Sequence, residues 1–239
     1  MENSNDIKVW NDYFGSIRGK YDMRVSPKKP LVIFLDGKNV TTGNNFSLLD
    51  NSKDSFQDIM EQTIKHFTAE YGCMALFGVD EVSFILKSAE SIIDKINSSK
   101  NYRSNEITSI FSQYFFEYFN KMNSKEVVYW HSKCYSIPEQ KIESYIRYRS
   151  KVIFNTFTTY FLKKNNIKDA GHIKFDEKIK RCKQIENYKE LEEYARGILY
   201  LNGEKIDLDE YLKGNIKSIE ITQKHETEFL DLKAFDDLF

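Results

Sequence analysis

Leu31-Val-Ile-Phe-Leu-Asp36 runs directly into Gly37, and further on Met74-Ala-Leu-Phe77 and Val82-Ser-Phe-Ile-Leu86 flank the tetrad Gly78-Val-Asp-Glu81. A continuous apolar run stopped by Asp-Gly reads as a buried strand ending in a turn. Gly37 can take positive φ and is expected to let the chain bend sharply beside Asp36. The second pair of runs reads as a tight hairpin with two carboxylates at or beside its tip. Between them Phe56, Ile59, Met60, Ile64 and Phe67 recur at spacings of three and four, which predicts an amphipathic helix over 56–71 closed by Gly72.

Working outward, Asn105–Met122 predicts a second helix whose aromatic residues (Phe111–Phe119) are expected in a core or subunit interface. Val127–Tyr135 reads as a fourth strand, ended by Pro138. A long helix follows from Glu139 through Phe161, then a strand at Gly197–Leu201 before the Asn202-Gly203 turn. Strand, helix, hairpin, helix, strand is the βαββαβ order of the ferredoxin-like split unit, an α+β fold. In that topology the third strand lies between the first and second and runs antiparallel to both. Asp36, at the end of strand one, therefore falls beside Asp80, at the turn that opens strand three. Residues 1–138 read as the catalytic domain and 139–239 as a helical, lysine-rich extension packed on it in the same globular unit.

The chain has 239 residues with 35 basic and 36 acidic side chains, a formal charge of −1. Hydrophobic content of 41% excludes a disordered chain, and three prolines with ten glycines exclude collagen-like material. The longest apolar runs fall far short of the ~18 residues of a membrane span. Met1–Asp12 is polar, without the apolar stretch of a secretion signal, and the three cysteines show no CxxC spacing. A reduced, cytoplasmic globular protein is expected. The balanced charge hides a division: 141–183 holds twelve Lys/Arg against four Asp/Glu, a local +8, while the last twenty residues carry six acidic and two basic groups.

Two or three carboxylates converging at the open end of a sheet repel one another unless something neutralises them. Mg²⁺ suits such a place, since it takes one or two carboxylates together with phosphate oxygens and water. Two such ions about 3.5–4 Å apart serve phosphoryl transfer. Asp36 and Asp80 are the expected ligands, with the Gly37 carbonyl an extra oxygen and Glu81 a third acid. The plainer alternative is that Asp-Gly is only a turn and Asp80-Glu81 only a polar hairpin tip.

Val32-Ile-Phe-Leu-Asp-Gly-Lys-Asn39 and Phe77-Gly-Val-Asp-Glu-Val-Ser-Phe84 resemble the two signature segments of the tRNA-histidine guanylyltransferase family and its Thg1-like relatives. Tyr145-Ile-Arg-Tyr-Arg149 with Asn155-Thr156-Phe157 resembles a third segment, and Tyr194-Ala-Arg-Gly197 a fourth. The resemblance spans residues 20–205 in the family's order. It implies a polymerase-like palm that adds nucleotides to the 5′ end of tRNA in the 3′-to-5′ direction. A 5′-monophosphate is activated with ATP, and the 3′-hydroxyl of an incoming nucleotide, such as GTP, then attacks it. It further implies two Mg²⁺ ions on the residues matching Asp36, Gly37 and Asp80, Glu81 as a further functional acid, and a homo-oligomer such as a tetramer. The chain departs from the pattern at Val79, where the family has serine, at Leu35, Lys38 and Val40, and at Leu48, which faces a family lysine. The family's histidine is replaced by Ile153 or Phe154. These departures favour a repair-type enzyme over one confined to tRNA-His.

Arg149 matches the family's arginine, and a guanidinium fork suits a triphosphate. Arg147, Lys38, Asn39 and Asn155 are further candidates for nucleotide phosphates. Lys163, Lys164, Lys168, Lys178, Lys180, Arg181 and Lys183 offer cations for an RNA backbone, recognised by shape and charge. His66, His131, His172 and His225 have no metal-ligand spacing and are expected as structural or surface residues. Two alternatives remain: a palm cyclase making a cyclic or linear nucleotide signal, since Gly78-Val-Asp-Glu is close to a Gly-Gly-Asp-Glu-Phe turn, and an inactive nucleotide-binding palm.

Overall fold

The computed structural model describes residues 23–38, 40, 49–50, 52–93, 95, 102–123 and 127–214. Asn39, Leu48, the polar start and the acidic last twenty residues lie outside the described residues. Strands β1 (Leu31–Gly37), β2 (Met74–Gly78), β3 (Glu81–Leu86), β4 (Trp130–Ser136), β5 (Ile198–Leu201) and β6 (Glu204–Ile206) form one sheet. Its order is β4-β1-β3-β2-β5-β6, with every neighbouring pair antiparallel. The first four strands thus take the expected βαββαβ arrangement, with β3 between β1 and β2. The extension adds β5 and β6 to the free edge of β2, so it contributes to the sheet as well as packing on it.

Period-two alternation divides the sheet into two faces. Leu31, Ile33 and Leu35 of β1 stand opposite Leu86, Phe84 and Val82 of β3, and all six are buried. Two helices cover this face: α1 (Phe56–Tyr71) and α3 (Ser104–Met122), with the short α2 (Glu90–Ile93) between them in sequence. The Ser55 side chain caps α1 by accepting from the Asp58 N–H, and Gly72 closes it at φ 58°. The Phe67 ring meets Phe84, Phe111 and Phe115 at centroid distances of 6.0, 5.4 and 5.3 Å. Phe111, Phe115 and Phe119, one turn apart on α3, are fully buried. The aromatic helix is core, as expected, and each such ring contributes roughly 1.5–3 kcal/mol by leaving water.

The opposite face carries Val32, Phe34 and Asp36 of β1 with Glu81 and Ser83 of β3, and α4 (Ile142–Lys164) crosses it. α4 begins three residues later than the sequence predicts, because Glu139–Lys141 form a 3-10 turn after Pro138. β4 likewise starts at Trp130, not Val127. Beyond α4 lie α5 (Phe175–Lys183), α6 (Tyr188–Arg196) and α7 (Leu208–Leu212). Among the described residues no helix is long and apolar enough to cross a membrane.

Candidate active site

The register of β1 on β3 puts Asp36 directly opposite Glu81. Direct partners in an antiparallel pair hold their Cβ atoms about 4.5–5.5 Å apart. The Gly37 N–H donates to the Asp80 carbonyl at 2.8 Å, joining the end of β1 to the hairpin turn. Gly37 does not take the expected positive φ; glycine is favoured there by space, since a Cβ on residue 37 would meet Val40 Cγ2 at 2.9 Å and the Asp80 carbonyl and Trp130 ring at 3.3 Å each. Gly78 pairs with Glu81, so the hairpin turns on Val79 and Asp80 alone. So short a turn needs positive φ at its first central residue, and Val79 supplies it at φ 61°. A β-branched residue there stores on the order of 1–3 kcal/mol. Val79 is held by burial and by Gln57 Nε2, which donates to its carbonyl at 3.3 Å.

Burial raises the Asp36 carboxyl above its ordinary range, while His131, Arg149 and Lys133 pull it back. Burial also raises Glu81, against the lowering influence of Arg149, and the charge of Asp36 adds to the rise. Arg149 pairs with Glu81 through Nη2, both side chains being nearly enclosed at 13% and 12% exposure. Its guanidinium lies over the Phe34 ring, 4.5 Å from the centroid. Asp80 is 6% exposed.

Three residues one turn apart on α4 meet this face in sequence. Tyr145 shares a 2.8 Å hydrogen bond with the Ser83 hydroxyl, Arg149 takes Glu81, and Ile153 lies on Gly78. The acids expected at adjacent strand ends are brought together, and Arg149 joins them. Tyr145 lies in the segment that resembles the family's helix, though no role is expected of it there; the spacing of residues does not reveal Phe34, His131, Lys133 or Tyr135. β4 alternates half-buried with exposed residues, and His131, Lys133 and Tyr135 fall on the side of Asp36, His131 being its direct partner. That alternation is the one signal in the sequence that could have found them. Among the described residues, no three His, Cys, Asp or Glu side chains converge closely enough to hold a metal ion. The expected ligands Asp36, Asp80 and the Gly37 carbonyl would offer only oxygen donors, the chemistry Mg²⁺ takes together with phosphate and water.

No family model matches the sequence, and no curated protein sequence matches it. Solved structures do. A bacterial tRNA-His guanylyltransferase (Thg1)-like protein in complex with ATP superposes with a TM-score of 0.58 over 80% of this chain and 87% of that one, at 15% identity. A bacterial Thg1-like protein in complex with GTP gives 0.57 over 81% and 84%, also at 15% identity. The chain has the Thg1-like fold.

Within that fold the remaining expected site residues separate. Lys38 is exposed just past β1, its N–H donating to the Tyr129 carbonyl at 2.8 Å. Arg147 stands about 200° around α4 from Arg149, since each helical residue turns about 100°. It turns away from the acids, pairing with Glu143 at 2.7 Å and donating to the Leu212 carbonyl of α7 at 2.7 Å. Asn155 Oδ1 accepts from Lys178 Nζ at 2.8 Å. Lys178 departs from the expected surface cation: it is 4% exposed, and its ammonium is held by Asn155 and by Thr159 Oγ1 at 2.8 Å. Lys163, Lys164, Lys168, Lys180, Arg181 and Lys183 are exposed, Arg181 pairing with Glu177 at 2.9 Å.

Proposed function

We propose that this protein is a Mg²⁺-dependent nucleotidyltransferase that adds nucleotides to the 5′ end of tRNA in the 3′-to-5′ direction, as a repair-type enzyme using ATP and GTP. The observation that carries this reading is the meeting of Asp36 with Asp80 and Glu81 at adjacent strand ends, in a fold shared with Thg1-like proteins solved with ATP and with GTP. Asp36, Asp80 and the Gly37 carbonyl would hold the metal ions, which when bound activate the attacking hydroxyl and stabilise the leaving oxygen. Arg149, anchored on Glu81 and Phe34, orients its planar fork toward the triphosphate. Lys163, Lys164, Lys168, Lys180, Arg181 and Lys183 engage the RNA backbone, which dominates nucleic-acid affinity. The enzyme works in the cytoplasm as a homo-oligomer.

Direction of growth tests the reading. A 5′-monophosphorylated tRNA lacking its first nucleotide is oxidised at its 3′ end, then incubated with protein, Mg²⁺ and labelled nucleotides. Extension of the blocked RNA is expected. Extension only of unblocked RNA refutes 3′-to-5′ addition, and a labelled small product formed without RNA favours a nucleotide cyclase.

A further inference from the structure

Arg149 reaches Glu81 only if α4 lies at one particular height along β3. On α4, Tyr145 precedes Arg149 by four residues, a rise of about 6 Å. On β3, Ser83 follows Glu81 by two residues, a rise of about 6.6–6.8 Å. The two intervals match within about 1 Å, and both pairs face each other across the same gap. Ser83 is 2% exposed, and its hydroxyl meets the Tyr145 hydroxyl at 2.8 Å. The Tyr135 hydroxyl, from β4, donates to the same Tyr145 oxygen at 3.2 Å. The Tyr145 oxygen accepts from Tyr135 and shares its second hydrogen bond with Ser83, so one helix hydroxyl is fixed from two strands.

We propose that the Tyr135–Tyr145–Ser83 chain of hydroxyls is a positioning device: it sets the height of α4 on the sheet and so holds the Arg149 guanidinium on Glu81 and Phe34, aimed at the nucleoside triphosphate. Tyr145 and Ser83 are positioning residues, acting on the substrate through Arg149. The inference rests on the nucleotidyltransferase reading and adds to it the residues that orient its arginine. Apolar packing of α4 alone does not set this height so narrowly, because hydrophobic contact is non-directional whereas a hydroxyl pair has a preferred length and angle.

The test uses the full chain and reads Mg·ATP binding by equilibrium dialysis, with thermal unfolding in parallel. Tyr145→Phe keeps the ring and removes one hydroxyl; Ser83→Ala removes its partner. Each is expected to weaken ATP binding about five- to ten-fold, the worth of one ordered hydrogen bond. The double variant is expected to be no weaker than either single one, and Ser83→Thr, which restores a hydroxyl, to recover binding. In an Arg149→Gln background Tyr145→Phe is expected to have no further effect, because the residues act as one unit. An equal loss in that background marks a merely structural role and overturns the inference, as does unchanged binding in Tyr145→Phe. Failure of the wild-type chain to bind Mg·ATP overturns the nucleotidyltransferase reading itself, and the positioning role with it.

Discussion

Gly78→Ala adds one methyl group to a strand position where φ is not positive, so the backbone accepts alanine without strain. By lowering the entropy of the unfolded chain the change favours folding by about 0.4–1 kcal/mol. The folded state opposes it. The new Cβ would lie 2.2 Å from Ile153 Cγ2, against an ordinary contact of 3.4–4 Å, with the other Ile153 carbons at 3.1 and 3.2 Å. Ile153 cannot swing aside, because a β-branched residue in a helix is held to one χ1 rotamer. α4 must therefore withdraw by more than 1 Å at that turn. Overpacking of this kind costs about 1–3 kcal/mol, which at the middle of both ranges leaves a net loss of about 1 kcal/mol after the unfolded-state gain. Since Arg149 lies one turn before Ile153, the same withdrawal draws its guanidinium off Glu81 and weakens nucleotide binding. Urea unfolding of Gly78→Ala, Ile153→Ala and the double variant checks the account. The double is expected to be more stable than the sum of the singles implies, by about 1 kcal/mol or more. Strict additivity, or a Gly78→Ala protein within about 0.5 kcal/mol of wild type, refutes the proposed contact.

Other consequences are equally open to measurement. Burial raises the Asp36 carboxyl, so the folded state binds its proton more tightly than the unfolded chain does; stability from this group is present at low pH and lost as pH rises through the raised value. In metal-free buffer, Asp36→Asn should therefore gain stability relative to wild type as pH rises from about 3.8, the ordinary carboxylate value, toward neutrality, and a pH-independent difference in unfolding midpoint would count against it. Lys178→Ala should cost about 0.5–1.5 kcal/mol by removing the donor that Asn155 and Thr159 share, with little change in the salt dependence of RNA binding. Lys180→Ala and Lys183→Ala should instead each lower the salt slope of RNA affinity by about 1 while leaving the unfolding midpoint nearly unchanged. Arg147→Ala should leave Mg·ATP binding at its wild-type value and lose at most about 1 kcal/mol of stability, since it removes only an exposed ion pair within α4 and one hydrogen bond to the Leu212 carbonyl of α7.

The meeting of Asp36 with Asp80 is legible in the sequence because two local signals fix it. An unbroken apolar run ends at Asp-Gly, and a hairpin short enough to have one geometry carries Asp80 at its turn. The contact between Arg149 and Glu81 has no such local signal. It depends on where α4 settles on the sheet, which follows from the absence of a Cβ at Gly78, the bulk of Ile153 and the hydroxyls of Tyr145 and Ser83 acting together. Arg147 and Arg149 look equivalent in sequence, yet helical geometry turns them to different sides. Lys178 is one lysine among many in a basic stretch, and only its placement one turn before the buried Cys182 hints that it faces inward. His131 and Lys133 share one side of a strand on which neither side is strongly apolar, so hydropathy does not say that theirs is the side of Asp36.

Asp36 and Asp80 are proposed to serve a reaction at the 5′ end of an RNA. This role is checked by single-turnover incubation of wild type, Asp36→Ala and Asp80→Ala with Mg²⁺, unlabelled ATP to activate the 5′-phosphate, labelled GTP and a 5′-monophosphorylated tRNA lacking its first nucleotide. The account predicts one added nucleotide at the 5′ end with wild type and none with either variant, while both variants keep the wild-type unfolding midpoint within a few degrees. Addition that survives the loss of either carboxylate, or no addition by wild-type protein that binds Mg·ATP, would contradict it.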